Sequence, residues 1–158
     1  MARVLFVCLG NICRSPMAEA IFRDMVNKEG LGHKINIESA GTGSWHVGSP
    51  PHKGTATLLS EKGISTEGMK ARQIVPEDAD KFDYIIAMDS QNLIDIKKAI
   101  QAKEGVVMTR LLDLVEDAPF FDVPDPYFTG DFDEVYELVV KGCQALLERI
   151  KNERLADA

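Results

Sequence analysis

Residues 3–8, Arg-Val-Leu-Phe-Val-Cys, form a continuous β-rich run close to the N-terminus. A run of this kind predicts a strand covered on both faces, as strands of a parallel sheet are. A short loop follows, and Ser15-Pro16 then opens a helix with a capping hydroxyl and a proline in its first turn. Met17, Ile21, Phe22, Met25 and Val26 give that helix an apolar stripe, and Gly30 stops it. A buried strand feeding directly into a helix needs a right-handed crossover before the next parallel strand, so this junction alone points to an α/β fold.

The remaining chain repeats the alternation. A second strand is expected over 35–39, running into the turn Ala40-Gly41-Thr42-Gly43. Ser49-Pro50-Pro51 starts a helix carrying Ala56, Leu58 and Leu59 and ending near Gly63. Residues 84–88 read as a buried strand, Asp89 as the cap of a helix bearing Leu93, Ile96 and Ile100, and 106–112 as a fourth strand. Phe132, Val135, Tyr136, Val139, Cys143, Leu146, Leu147 and Ile150 mark the last helix, with 152–158 as a fraying tail. No repeat or linker interrupts the pattern, so one domain over 1–158 is expected, a parallel sheet with helices on both faces. Ligands of such sheets bind beyond the carboxyl ends of the strands. Three segments must meet there: the loop after Cys8, the turn after Ser39, and a loop from Asp113 to about Gly130. That last loop is long for a compact domain, and long structureless loops are usually functional or disordered.

Composition removes other classes. With 45% hydrophobic and 27% charged residues over 158 positions, the chain can bury roughly two-thirds of its unfolded surface and is not disordered. Residues 4–9 are too few to span a bilayer and lack a cleavage site, so a cytoplasmic protein without membrane contact is expected, leaderless export remaining open. A net charge of −7 argues against nucleic acid. Three cysteines make no disulfide framework. Cys8 and Cys13 lack a second pair, and His33, His46 and His52 lack ligand spacing, so neither metal nor cofactor is expected.

Chemistry concentrates in Cys8-Leu9-Gly10-Asn11-Ile12-Cys13-Arg14-Ser15. Between a strand end and a helix N-terminus, such a turn gathers backbone N–H groups into one anion-binding concavity. Gly10 and Asn11 let it curl tightly. Helix dipole and guanidinium together favour a thiolate at Cys8. Arg14 offers a planar fork for two phosphoryl oxygens, and Ser15 a hydrogen bond to sulfur. There is no G-x-x-x-x-G-K-[ST] loop, and Gly41-Thr42-Gly43 fails the dinucleotide fingerprint because His46 occupies the third glycine position. A phenol leaving group, with a pKa of about 10, calls for a general acid. Asp125, stiffened by Pro124 and Pro126, is the candidate. Nine acidic and no basic residues between Leu111 and Val140 imply like-charge repulsion that would favour its protonated form.

Val7-Cys8-Leu9-Gly10-Asn11-Ile12-Cys13-Arg14-Ser15-Pro16 and Asp125-Pro126-Tyr127 closely resemble the low-molecular-weight protein tyrosine phosphatases. Ser39-Ala40-Gly41-Thr42, Lys70-Ala71-Arg72-Gln73 and Phe82-Asp83-Tyr84-Ile85 extend the resemblance over essentially the whole chain. It implies a three-layer, flavodoxin-like fold with a four-stranded parallel sheet of order 2-1-3-4. It also implies Cys8 as nucleophile, Arg14 as phosphate clamp, Ser15 as thiolate stabiliser and Asp125 as general acid, then base. Asn11 and Ser39 match the polar network supporting the loop; Trp45 and Tyr127 match aromatic walls around the substrate ring, with Phe128 on the rim. Two departures stand out. Met69 lies where many members carry histidine, which would thin the loop's support. Phe128 replaces a tyrosine, removing a hydroxyl and a possible phosphorylation site.

The implied activity is hydrolysis of phosphotyrosine in proteins, by a monomer. Protein-arginine phosphatase is the first alternative: relatives acting on phosphoarginine carry threonine where this chain has Ile12. Arsenate reduction would need two further redox cysteines, which Cys143 on the last helix cannot supply. A non-catalytic phosphotyrosine-binding module would not need both Cys8 and Asp125.

Overall fold

The computed structural model describes residues 1–155. Four strands, β1 (Ala2–Cys8), β2 (Ile35–Gly41), β3 (Tyr84–Ala87) and β4 (Val107–Arg110), pair in parallel in the order β2-β1-β3-β4. The register sets Cys8 beside Gly41, Val7 beside Ala87 and Ala87 beside Arg110, so all four strands reach the same carboxyl edge. The expected strand order and parallel pairing are therefore present.

Alternation along β1 divides the core. Ala2, Val4, Phe6 and Cys8 face α1 (Arg14–Lys28) and α6 (Phe132–Arg154), where Phe22 meets Phe6 edge to face at 5.6 Å. Such a ring pair adds about 1 kcal/mol beyond area burial. Leu5 and Val7 face the opposite layer with Ile96 of α4 (Ser90–Ala99) and Ala79 of α3 (Asp78–Lys81). Cys143 is fully buried on the α6 stripe, as its period predicts. Burial pushes its thiol well above the ordinary range.

Several local expectations change. α1 starts at Arg14 with Cys13 as N-cap, and Ser15 does not cap it; that hydroxyl is engaged across the loop instead. α2 (Lys53–Glu61) begins three residues beyond Ser49-Pro50, capped by His52, whose Nδ1 accepts from the Gly54 N–H at 3.0 Å. β4 ends at Arg110, and Leu111–Leu114 form a 3-10 turn because Asp113 folds back onto the Arg110 N–H and side chain. The long loop is not structureless: it includes α5 (Pro126–Thr129), closed by Gly130 at φ 75°. Asn152–Arg154 continue α6 rather than fray, since the Tyr84 hydroxyl donates to Glu153 at 2.7 Å and Arg154 lies over the Tyr84 ring. The rest of the expected tail, 156–158, lies outside the described residues.

Candidate active site

Cys8 ends β1, and the chain then bends around its sulfur. Asn11 takes a left-handed conformation, φ 57°, which brings its N–H to 3.2 Å from Cys8 Sγ. Asn11 tolerates this better than most side chains. Its amide explains the rest: Nδ2 donates to Ser15 Oγ at 2.7 Å and to Ser39 Oγ at 2.9 Å, while Oδ1 accepts the Arg72 N–H at 3.0 Å. The Ser39 hydroxyl in turn donates to Glu19 Oε1 at 2.5 Å. Ser15 Oγ stands 3.0 Å from Cys8 Sγ. With Asn11 donating to Ser15, the serine proton is available to a thiolate.

Glycine serves two close approaches here. A Cβ on Gly41 would lie 2.8 Å from the Leu9 carbonyl oxygen, so the β2 end can seat the loop only without a side chain. Gly10, expected to provide the curl, has an ordinary negative-side backbone; a Cβ there would come within 3.1 Å of His46. The curl belongs to Asn11.

Arg14 is 2% exposed, and acids surround it. Nη1 donates to Asp89 at 2.6 Å and to the Val123 carbonyl at 2.9 Å, and Nη2 to Asp125 at 3.3 Å. Burial alone would favour loss of its proton, but Cys8, Asp89 and Asp125 outweigh it and raise the guanidinium pKa further. Asp125 thus touches a cation, and Asp89 is the second acid on the same guanidinium. The other Asp125 oxygen caps α5 through the Tyr127 N–H at 3.0 Å. Cys13 is buried with Ile12 and Ala71 against Phe132. Desolvation first, then Cys8 and Asp125, push its thiol up to about 12.

These groups share a cleft of about 240 Å³ whose lining includes all of the segment 8–14 except Asn11, together with Asp125 and the side chains of Trp45, His46, Tyr127 and Phe128. Trp45, Tyr127 and Phe128 are exposed at 72%, 55% and 76%, whereas Cys8 and Arg14 are buried, so an aromatic rim surrounds a polar floor. Asn11, Ser15 and Ser39 lie behind that floor as its support. Sequence reasoning missed Asp89, His46 and Glu19. His46 and His52, given no role by the sequence, both approach Tyr127, at ring separations of 6.3 and 6.1 Å. Arg72, quoted only within a motif, holds buried Asp78 bidentately at 3.0 and 3.2 Å. Met69 packs against the main core, and the loop's polar network closes through Glu19 and the Arg72 backbone.

Residues 3–156 match the family model for low molecular weight phosphotyrosine protein phosphatases. The chain is 55% identical over 154 residues to the low molecular weight protein-tyrosine-phosphatase YfkJ of Bacillus subtilis, covering 98% of this chain and 99% of that protein. The crystal structure of YfkJ superposes with a TM-score of 0.94 over 98% of this chain and 97% of its own. PtpA of Staphylococcus aureus, another low molecular weight protein-tyrosine-phosphatase, is 44% identical, covering 95% and 94%. A Drosophila arginine phosphatase structure is 34% identical with a TM-score of 0.87, covering 97% and 99%. The chain belongs to the low molecular weight phosphotyrosine protein phosphatase family. That family is one of cysteine-based phosphatases. Among the described residues no helix is long and apolar enough to cross a membrane.

Proposed function

We propose that the protein hydrolyses phosphotyrosine in proteins through a phosphocysteine at Cys8. The observation that carries this reading is the pairing of Cys8 Sγ, 3.0 Å from Ser15 Oγ, with an Arg14–Asp125 ion pair lining the same cleft. The Cys8 thiolate attacks phosphorus opposite the ester oxygen. The S–P bond forms as the P–O bond breaks, and the Asp125 carboxyl gives its proton to the departing phenol. Loop N–H groups and Arg14 stabilise the equatorial oxygens, where charge is held in the transition state. Asp125, now a carboxylate, takes a proton from water as that water attacks phosphocysteine, returning inorganic phosphate and thiolate.

Tyrosine is favoured by the rim. Trp45 and Tyr127 offer flat surfaces to an aryl ring, a contact worth about 1 kcal/mol. Ile12 gives no hydroxyl to a guanidinium, and the relatives at 55% and 44% identity are both named for tyrosine. Three buried free cysteines suit a reducing compartment, which supports a cytoplasmic enzyme acting on phosphotyrosine-containing proteins. The test is a side-by-side measurement of kcat/KM on matched peptides carrying phosphotyrosine, phosphoarginine, phosphoserine or phosphothreonine. Phosphotyrosine should lead, phosphoarginine follow, and the two others trail. Faster phosphoarginine turnover would overturn the tyrosine assignment.

A further inference from the structure

Arg110 stands at the carboxyl end of β4, beside Ala87 of β3, and so on the same sheet edge as Cys8. Its guanidinium is engaged on every side. Nε donates to both Asp113 oxygens at 3.1 and 2.9 Å, and Nη2 to Asp113 at 2.8 Å. Nη1 donates to Ser90 Oγ at 2.8 Å and lies 3.8 Å from Asp122. Its plane rests over the Phe121 ring at 5.3 Å. Ser90 in turn donates to Asp122 twice, from its N–H at 2.8 Å and from its hydroxyl at 2.7 Å.

This cluster joins the two segments on which Arg14 depends. Ser90 follows Asp89, which makes the shortest contact to Arg14 at 2.6 Å. Asp122 precedes Val123, whose N–H is bound by the Met88 carbonyl at 2.9 Å and whose own carbonyl accepts from Arg14. Asp125 is two residues further on, beyond Pro124. The chain from Phe121 to Asp125 is therefore fixed at Phe121, Asp122 and Val123, leaving little freedom for the carboxyl two residues later. An arginine with five donors and a flat face can hold a carboxylate, a hydroxyl and a ring together; lysine cannot. None of these contacts touches the cleft lining.

We infer that Arg110, acting with Ser90 on Asp122 and Phe121, is a positioning residue that sets the height of the Asp125 carboxyl over the cleft. The inference rests on the general-acid role proposed for Asp125. A displaced acid fails to meet the leaving oxygen, whereas attack by Cys8 and binding by Arg14 persist. Loss of the clamp must therefore appear where proton donation limits the rate.

The experiment compares kcat/KM, which reports the steps up to P–O cleavage and not the later hydrolysis of phosphocysteine, for phenyl phosphate, a poor leaving group, and for p-nitrophenyl phosphate, whose phenol is a far stronger acid. Wild type, Arg110→Ala, Arg110→Lys, Ser90→Ala, Asp125→Ala and the double variant Arg110→Ala/Asp125→Ala are measured, with inorganic phosphate inhibition reporting an intact loop. Arg110→Ala should lose about tenfold more on phenyl phosphate than on p-nitrophenyl phosphate, as expected for an ångström-scale misplacement. Ser90→Ala should show the same direction more weakly, and serves alone if Arg110→Ala does not fold. Arg110→Lys should not restore the ratio, and Arg110→Ala should add nothing to Asp125→Ala. If Asp125→Ala shows the leaving-group dependence while Arg110→Ala and Ser90→Ala slow both esters equally or neither, the clamp is overturned and the acid stands. If Asp125→Ala shows no such dependence, the acid assignment fails and the clamp with it.

Discussion

Asp125 Oδ2 lies 3.3 Å from Nη2 of Arg14, so the proposed acid and the proposed phosphate clamp share an ion pair. The arginine is 2% exposed and the aspartate 21%, which leaves the contact partly screened. A phosphoryl dianion arriving at Arg14 must compete with this carboxylate for the same N–H group. Asp125→Ala should therefore bind inorganic phosphate about fivefold more tightly at neutral pH, the equivalent of a partly exposed ion pair worth about 1 kcal/mol. Competitive inhibition constants measure it. Unchanged or weaker binding would mean that the pair does not oppose the ligand.

Asp89 separates two functions within one carboxylate. Oδ1 caps α4 by accepting the Asn92 N–H at 2.7 Å, and Oδ2 holds Arg14 at 2.6 Å. Asparagine is as good an N-cap as aspartate. Asp89→Asn should keep most of the stability but lower kcat/KM by about tenfold or more, because the guanidinium loses its charged anchor. Asp89→Ala should lose activity similarly and about 1 kcal/mol of stability besides. Urea melts beside kinetics distinguish the two, and equal stability losses would refute the division.

That double use of Asp89 shows what the sequence could and could not reveal. The cap was legible because Asp89 immediately precedes an amphipathic helix, a local signal. The Arg14 contact spans 75 positions and left no periodic trace. Ser15 went the other way: a serine before a proline reads as a cap, yet its hydroxyl is drawn to Cys8 and Asn11 by the loop's tertiary closure. β1, α1 and α6 were readable because long uniform burial patterns encode them. The end of β4 was not, since it depends on Asp113 turning back to Arg110. In the site, Cys8, Asn11, Arg14 and Asp125 were visible through motif spacing, whereas His46 reaches the cleft from a separate loop, with its ring 3.1 Å from where a Cβ on Gly10 would stand.

Asn11 combines a left-handed backbone with three side-chain hydrogen bonds. Asn11→Ala should cost about 2–4 kcal/mol, since buried partners at Ser15, Ser39 and Arg72 lose it together. Asn11→Gly should lose the same bonds but regain about 1 kcal/mol through its freedom at positive φ. Urea denaturation of both variants reports the order. Alanine equal to or more stable than glycine would contradict a strained backbone here.

Alkaline stability has a definite sign. Burial raises Cys13 from 9.0 to about 12 and Cys143 further, and burial followed by Glu153 raises Tyr84 from 10.0 to about 12. Above pH 9 the unfolded chain loses these protons while the folded chain keeps them, so stability falls as pH rises from about 9 toward 12. Cys143→Ala removes one such group. Its stability should be lower overall, but its slope above pH 9 should be shallower by up to about 1.4 kcal/mol per pH unit. Parallel slopes in wild type and variant would exclude Cys143 from the effect.

The central claim is covalent: phosphate passes through the Cys8 sulfur. Rapid acid quench during turnover of an aryl phosphate, with peptide mapping by mass spectrometry, tests it most directly. With p-nitrophenyl phosphate, whose leaving group departs without a proton, Asp125→Ala should accumulate the intermediate, because the base that activates water is gone. One phosphoryl group is expected on the peptide containing Cys8 and Cys13, fragmenting to Cys8, and Cys8→Ser should abolish both label and turnover while still binding phosphate. Phosphoryl transfer to another residue, or continued hydrolysis by Cys8→Ser, would contradict the mechanism.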